Sequence, residues 1–577
     1  MKILRYFTLL IIFYSCDKGD NQIEETSLGS IEVTVLLGDV PAIGASVTTV
    51  PETDTKIVSG TGIVTINNIP FGKYRVNVTL PELDDFVYYQ ELNVLTRGTS
   101  KIIFEIPEIP VLTEQDLDVA LLLNQSYQGL QRIFDADAYL TYWGDTGTDI
   151  LKANRMVDGT LVELDAYFFS PQLNIINQVW IEHYEQIGQV NKGIDYLVDP
   201  NSVVANTIDR ELTIAHLRFL RGLLYFNLVK VYGNPVLVTT SEIDLNNPPN
   251  YPQDPVTTYT QIEEDLLFAV QNLPVTGIND RANQESARAL LAKVYMKMAG
   301  FPLNEISNYG KALELLNSIY GQYVLMPSFK TVFDEENEAS NTEVIFKVSF
   351  DGQENTSSSF NNYWGPLGVS ERDALVLANG FANSFTDTPA GFQNPVTFPI
   401  ELDDSRFYTS VATFSVSGNT IINNSNPDDW RPLKWYNGEV QDVRFDSGSF
   451  DYPYLRYAEV LLLLAEAENA LNGPTALAYT AINQIRRRAY GDSNHDISNG
   501  LGQEQFFEQI VLERKRELCF EGHRRDDLIR WGKLQQVIDE YNAINEFQKD
   551  FEPHEYIWPI PQQELDLNPN ANQNPGY

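Results

Sequence analysis

The sequence predicts a mainly α-helical protein, a TPR-like array of helix pairs with a loop-rich lobe, preceded by a small all-β sandwich. Three observations carry this. Apolar residues alternate with polar ones from Ile31 to about Pro107, the period of a half-buried strand. Beyond Leu112 the period becomes helical, as in Leu212, Ala215, Phe219, Leu223 and Phe226. Residues 325–452 lose all period and are rich in Asn, Ser, Gly, Asp and Pro with scattered aromatics.

From the N-terminus, Lys2 and Arg5 precede the apolar run Phe7–Tyr14, too short to span a bilayer, so residues 1–15 read as a signal peptide. Ser15-Cys16 follows and resembles a bacterial lipobox, with Phe13 and Tyr14 departing from its usual pattern. Cys16 is therefore the expected lipid attachment, and residues 16–30 a polar tether. The only other cysteine, Cys519, sits in a helical pattern and is expected in the core.

In residues 31–107, Tyr74, Val76, Val78 and Leu80 share one strand face, and regular Pro and Gly suggest a small antiparallel sandwich. The stretch Asn68 to Tyr74 (NIPFGKY) resembles the turn and strand of carboxypeptidase-regulatory-like, transthyretin-type domains. Over 112–577, helical stripes fall in pairs: 172–197 with 207–232, 257–272 with 284–300, and 454–471 with 476–490, with further helices at 308–320 and within 503–545. Helices that each need a neighbour to bury a face suggest a repeat array. Gly233 with Pro235 supplies one helix stop. The 325–452 stretch is an excursion from this scaffold, and loops on rigid scaffolds are where binding resides.

The net charge of −39 disfavours nucleic acid, whose phosphates it would repel. No G-x-S-x-G elbow occurs, the five histidines show no tight ligand spacing, and nothing singles out a carboxylate pair among 79 acidic residues. The sequence thus predicts no enzyme, no cofactor and no metal set. The runs Arg486–Arg488 and Arg514–Arg516 are expected to pair with acids of neighbouring helices.

Four segments then resemble the SusD/RagB family of bacterial outer-membrane nutrient-binding lipoproteins. They are LRFLRGLLYF with VYGNPV (217–236), YLRYAEV with AEA and INQIR (454–486), ERKRELCFEGHR with DLIRWG (513–532), and WPIP through QNPGY (558–577). The resemblance covers about 112–577 and leaves the β domain outside. It implies surface capture of oligosaccharide or polysaccharide and delivery to a SusC-type TonB-dependent transporter. Peptide capture, or an adaptor without a small ligand, are the alternatives. For the β domain a spacer or transporter-docking role is expected.

A sugar offers an apolar C–H face ringed by hydroxyls, so a glycan site needs exposed flat aromatics beside amides and carboxylates. Trp180, Trp531 and Trp558 fall in helical or scaffold patterns and read as core. Trp143, in the polar stretch Tyr142 to Asp149, and Trp364, in the excursion, are the expected platforms. Tyr142, Tyr363, Asp145 and Asn362 stand beside them, with Asp149, Asn361 and Arg372 as further polar neighbours. Trp430 and Trp435 rank below these, the latter in a stretch that suits a structural strand.

Overall fold

The computed structural model describes the chain apart from residues 1–2, 7–27, 39, 82, 95–97, 107–117, 136–141, 155–158, 205–207, 245–247, 276–280, 351–357, 370–372, 389–390, 394, 418–419 and 437–448. Cys16, most of the expected signal segment and Arg372 lie outside the described residues. The chain divides into two compact units, one of residues 1–124 with 201–209, the other of residues 125–200 with 210–577.

The first unit holds two sheets. In one, strands run Lys56–Ile57, Ser46–Val50, Gly72–Leu80, Leu83–Val94. In the other, Leu28–Leu37 lies between Ile63–Pro70 and Thr99–Ile106. The alternation works as expected: Tyr74, Val76, Val78 and Leu80 are buried and join Ile31, Val33, Val35, Ile102 and Phe104 in one core drawn from both sheets. The sandwich departs from the expected all-antiparallel form, because Thr99–Ile106 returns after the other strands and enters parallel to Leu28–Leu37. Ile3–Tyr6, inside the segment read as a signal peptide, pairs in parallel with Phe86–Tyr89.

The second unit is a run of helices, each packed on the next: Asn174–Val198, Arg210–Tyr232, Pro255–Asn272, Gln284–Ala299 and Asn308–Ile319. The expected pairs are these, within a residue or two at most ends. Gly233 ends the Arg210–Tyr232 helix with φ of +76°, where a side chain would be strained and glycine is not. Asn283 opens the Gln284–Ala299 helix with a reciprocal cap to Ser286. After Asn308–Ile319 the chain leaves for the excursion. It returns through Tyr452–Arg456, which pairs antiparallel with Val344–Val348 and so closes the neck. The next helix, Tyr457–Asn472, packs back on Asn308–Ile319 and the array resumes with Ala476–Tyr490 and Gln503–Glu517. The excursion holds only short pieces. Leu375–Leu377 pairs with Leu151–Ala153, Val411–Ala412 with Arg431–Pro432, and Phe414–Ser417 with Thr420–Asn423. Among the described residues no helix is long and apolar enough to cross a membrane.

Candidate functional site: a loop-bearing face on a buried polar floor

The stretch Tyr142 to Asp149 is wedged into the protein. A Cβ on Gly144 would stand 2.2 Å from the Cα of Gly522, so the two backbones cross in contact. Asp145 is fully buried and accepts the backbone N–H groups of Gly522 and Arg524 at 3.0 and 3.1 Å. Burial pushes its carboxyl up to about 7, against the pull of those two donors. Asp149 takes Arg524 on both oxygens and Lys515 on one. Burial would raise the Asp149 carboxyl, but Arg524 and Lys515 outweigh it and hold it far below the usual range.

The tryptophans follow this inward course. Trp143 is 1% exposed, edge-on to Trp558 with centroids 5.5 Å apart, and the Arg525 guanidinium covers its face at 4.6 Å. Trp364 is 0% exposed and packs on Phe520 at 5.6 Å. Trp430 donates to the Asn424 carbonyl, and Trp435 donates to the Phe520 carbonyl while stacking on Phe360. Tyr363 is buried as well. The expectation that Trp143 and Trp364 are sugar platforms, with Tyr363 and Asp145 beside them, is therefore corrected: no ring face or carboxylate of these four is open to a ligand. The physical reason is anchoring. Ordering a residue costs about 1–2 kcal/mol of backbone entropy, and a long irregular segment regains that only by burying large rings. Tyr142 is half-buried. The side chains of Asn361 and Asn362 lie outside the described residues.

The floor beneath is ionic. Arg456, 1% exposed, directs all five of its N–H donors at acceptors: Nε and Nη2 to Glu521 at 2.6 and 2.7 Å, Nη1 to Glu517 and Glu343 at 2.6 and 2.8 Å, and Nη2 to the Glu517 carbonyl at 2.8 Å. Arg406 binds Asp404, Glu513 and Glu517, Arg488 binds Glu343 and Glu517, Arg486 binds Glu513, and Lys434 binds Glu521. Five acids thus meet five bases, and the group is neutral as a whole. Asp404, Arg406 and Lys434 belong to the excursion, and Arg488, Glu513 and Glu517 to the helices. The network fastens one to the other. Of the expected pairings of the arginine runs, Arg486, Arg488 and Arg514 (to Asp527) are made. Cys519 is buried as expected, and His523 is buried as well.

The described residues Asp135, Phe350, Ser359, Phe360, Trp435, Phe450 and Asp451 gather at one place. The Ser359 N–H and hydroxyl both donate to Asp135. The Phe350 N–H donates to Asp451, and Trp435 touches Phe450. Tyr142 and Tyr436 are half-buried. Tyr436 rests over Gly365, where a Cβ would lie 3.2 Å from the ring. Sequence reasoning missed Tyr436, and the signal for it was the glycine at 365 leaving room for a ring. Elsewhere on the excursion Tyr408 is 47% exposed, its hydroxyl accepting the Leu402 N–H.

A helical scaffold thus carries an irregular lobe fastened to it by buried charge. The comparisons place it further. The model of the SusD family matches residues 408–577, and one described as "Starch-binding associating with outer membrane" matches 107–296. A SusD-like protein of Formosa agariphila is 27% identical over 74% of this chain and 84% of its own. The starch-binding protein SusD of Bacteroides thetaiotaomicron is 24% identical over 63% of this chain and 72% of its own. The crystal structure of a SusD homologue from the same organism superimposes with a TM-score of 0.68 at 26% identity, covering 80% of this chain and 97% of that one. The chain belongs to the SusD/RagB family.

Proposed function

We propose that this protein captures oligosaccharide or polysaccharide at the cell surface and passes it to a SusC-type TonB-dependent transporter of the outer membrane. The observation that carries the reading is a helical scaffold whose irregular lobe gathers Asp135, Phe350, Ser359 and Asp451 at one place, with Tyr142 and Tyr436 half-buried. A tyrosine joins an apolar ring to a hydroxyl, a combination that suits a sugar's C–H face and its hydroxyl rim. The starch-binding relative supports a glycan as the ligand. The protein acts by binding, not by breaking bonds. Residues 1–15 direct export, Cys16 carries the lipid anchor, and residues 16–30 tether a β domain that serves as spacer or transporter dock.

Affinity electrophoresis of the chain from residue 17 through gels cast with different polysaccharides tests this. One polysaccharide should slow the parent, and Tyr142→Ala and Tyr436→Ala should each weaken retardation about tenfold, the effect of roughly 1.4 kcal/mol. Full retardation of both variants would discard this face as the site. Retardation by no glycan, with binding of a peptide pool, would favour the peptide alternative. Cys16→Ala should move the protein from the membrane to the soluble fraction.

A further inference from the structure

Among the described residues one group of metal-ligating side chains converges, on the outside of the excursion: Asp387, Asp403 and His495, whose ligand atoms all lie within 4.8 Å of one another. The His495 Nε2 stands 3.6 Å from Oδ2 of Asp403 and 4.0 Å from Oδ2 of Asp387. These spacings are too long for hydrogen bonds. They match ligands that share an ion, since two atoms each about 2.0–2.2 Å from one metal stand roughly 3–4 Å apart.

Two further observations point the same way. The imidazole is pre-oriented: it stacks on Tyr490 with centroids 4.2 Å apart and planes 10° from parallel. Its other nitrogen, Nδ1, lies 3.5 Å from Oδ1 of Asp492 and is buried without a hydrogen bond. A small turn of the ring on metal binding would bring the Nδ1–H onto that carboxylate, the arrangement that fixes the tautomer of metal-bound imidazoles. The local charge is also unbalanced. Among the described residues, Asp387 and Asp403 meet no lysine or arginine, and the bases nearby are engaged elsewhere: Arg406 with Asp404, Arg487 with Asp496, and Arg516 with the Ser384 carbonyl.

We propose that Asp387, Asp403 and His495 bind one divalent transition-metal ion of the zinc class, with Asp492 as the positioning residue for the imidazole. One nitrogen and two carboxylate oxygens suit zinc and its neighbours. Calcium, which takes oxygen ligands alone, would leave the imidazole unused. The three ligands come from separate segments, so the ion would tie the excursion around 387–403 to the loop that follows the Ala476–Tyr490 helix. This site is independent of the glycan-binding face.

The test is titration of the chelator-treated chain from residue 17 with Zn²⁺ by calorimetry, and with Co²⁺ by visible absorption. The expected result is one equivalent of Zn²⁺ and a Co²⁺ spectrum with nitrogen in the ligand field. His495→Ala and Asp403→Asn should abolish both, and Asp492→Asn should weaken binding about 10–100-fold. These side chains are at the surface, so the variants should keep the parent's circular dichroism, which verifies that loss of metal is not loss of fold. No saturable Zn²⁺ uptake by the parent, unchanged stoichiometry in both ligand variants, or uptake of Ca²⁺ in preference to Zn²⁺ would each overturn the proposal.

Discussion

Replacing Arg456 by Met removes a side chain that bridges three carboxylates, Glu343, Glu517 and Glu521. Glu343, Glu517 and Glu521 lose five charge-assisted bonds in all, four of them to carboxylate oxygens. Each keeps another cation, Glu521 through Lys434 and the other two through Arg488, but the balance of five acids and five bases becomes five against four. Removing one partner of a buried pair costs about 3–5 kcal/mol, because one negative charge in excess is left without water or a counter-ion of its own. Unfolding of a unit this size carries an entropy of roughly 0.9 kcal/mol/K, so Tm should fall by about 3–5 °C. Calorimetry and far-ultraviolet circular dichroism read this directly. Adding Glu521→Gln to Arg456→Met restores neutrality, so the pair should be less destabilised than the sum of the singles, with a coupling of about 1–3 kcal/mol. A single variant within about 1 kcal/mol of the parent, or strict additivity in the double, would refute the charge-balance reasoning.

Stability should peak on the acid side of neutrality. The Glu338 carboxyl is pushed up to about 8 by burial and by Asp451, above its unfolded value, so the folded chain holds a proton that the unfolded chain has released. Stability therefore falls as pH rises from about 4.5 to about 8. Burial would raise Glu517 as well, but Arg488, Arg456 and Arg406 hold it well below the usual range, so its contribution is lost as pH falls below about 4.5. Tm measured across pH should be highest near pH 5, and Glu338→Gln should flatten the alkaline limb; an unchanged limb would remove Glu338 as its source. Gly144→Ala places a Cβ on the Gly522 backbone, which cannot step aside, and should cost about 3 kcal/mol in a urea melt. Trp143→Ala and Trp364→Ala should each cost about 3–5 kcal/mol as cavities in a packed floor, and a glycan-affinity loss without a stability loss would restore them as ligand contacts.

The helical array was readable because each of its helices repeats one local rule, an apolar stripe at helical spacing closed by a turn residue. Ala215, Phe219, Leu223 and Phe226 are buried where the stripe put them, Leu212 at its start is half-buried, and Gly233 caps where expected. The excursion was readable as an excursion, since it lacks any period. What could not be read was which way its tryptophans face. Around Trp143 the neighbours are Gly, Asp and Thr, which locally describe a solvated turn. The partners that bury it, Arg525 and Trp558, lie about four hundred residues on. The glycines at 144 and 147 carried a trace of this: a ring beside residues without side chains suits a strand that slides against another backbone. The metal-ligand group was equally hidden, with its ligands drawn from segments that come together only in the fold. The arginine runs were legible for the opposite reason. In a chain of net charge −39, a buried arginine on a helix face has an acid within reach almost wherever it packs.

The buried charges also explain how an aperiodic segment holds one arrangement. Apolar burial is non-directional, so a loop held by rings alone can slide to another packing of similar area. Arg456 permits no such slip, because its five donors fit acceptors from three segments at once, the entry to Val344–Val348 at Glu343, the end of the Gln503–Glu517 helix, and the turn beyond it at Glu521. A shift of one residue at the neck would leave several of these groups buried and unpaired, at about 1–3 kcal/mol each. Rings supply the area and the ionic group supplies the register. Arg456→Met should therefore do more than lower Tm: amide exchange should quicken in Val344–Val348 and Tyr452–Arg456, while the Arg210–Tyr232 helix, which contributes no residue to the group, stays protected. Equal acceleration in both places would show that the group contributes stability alone and does not set the register.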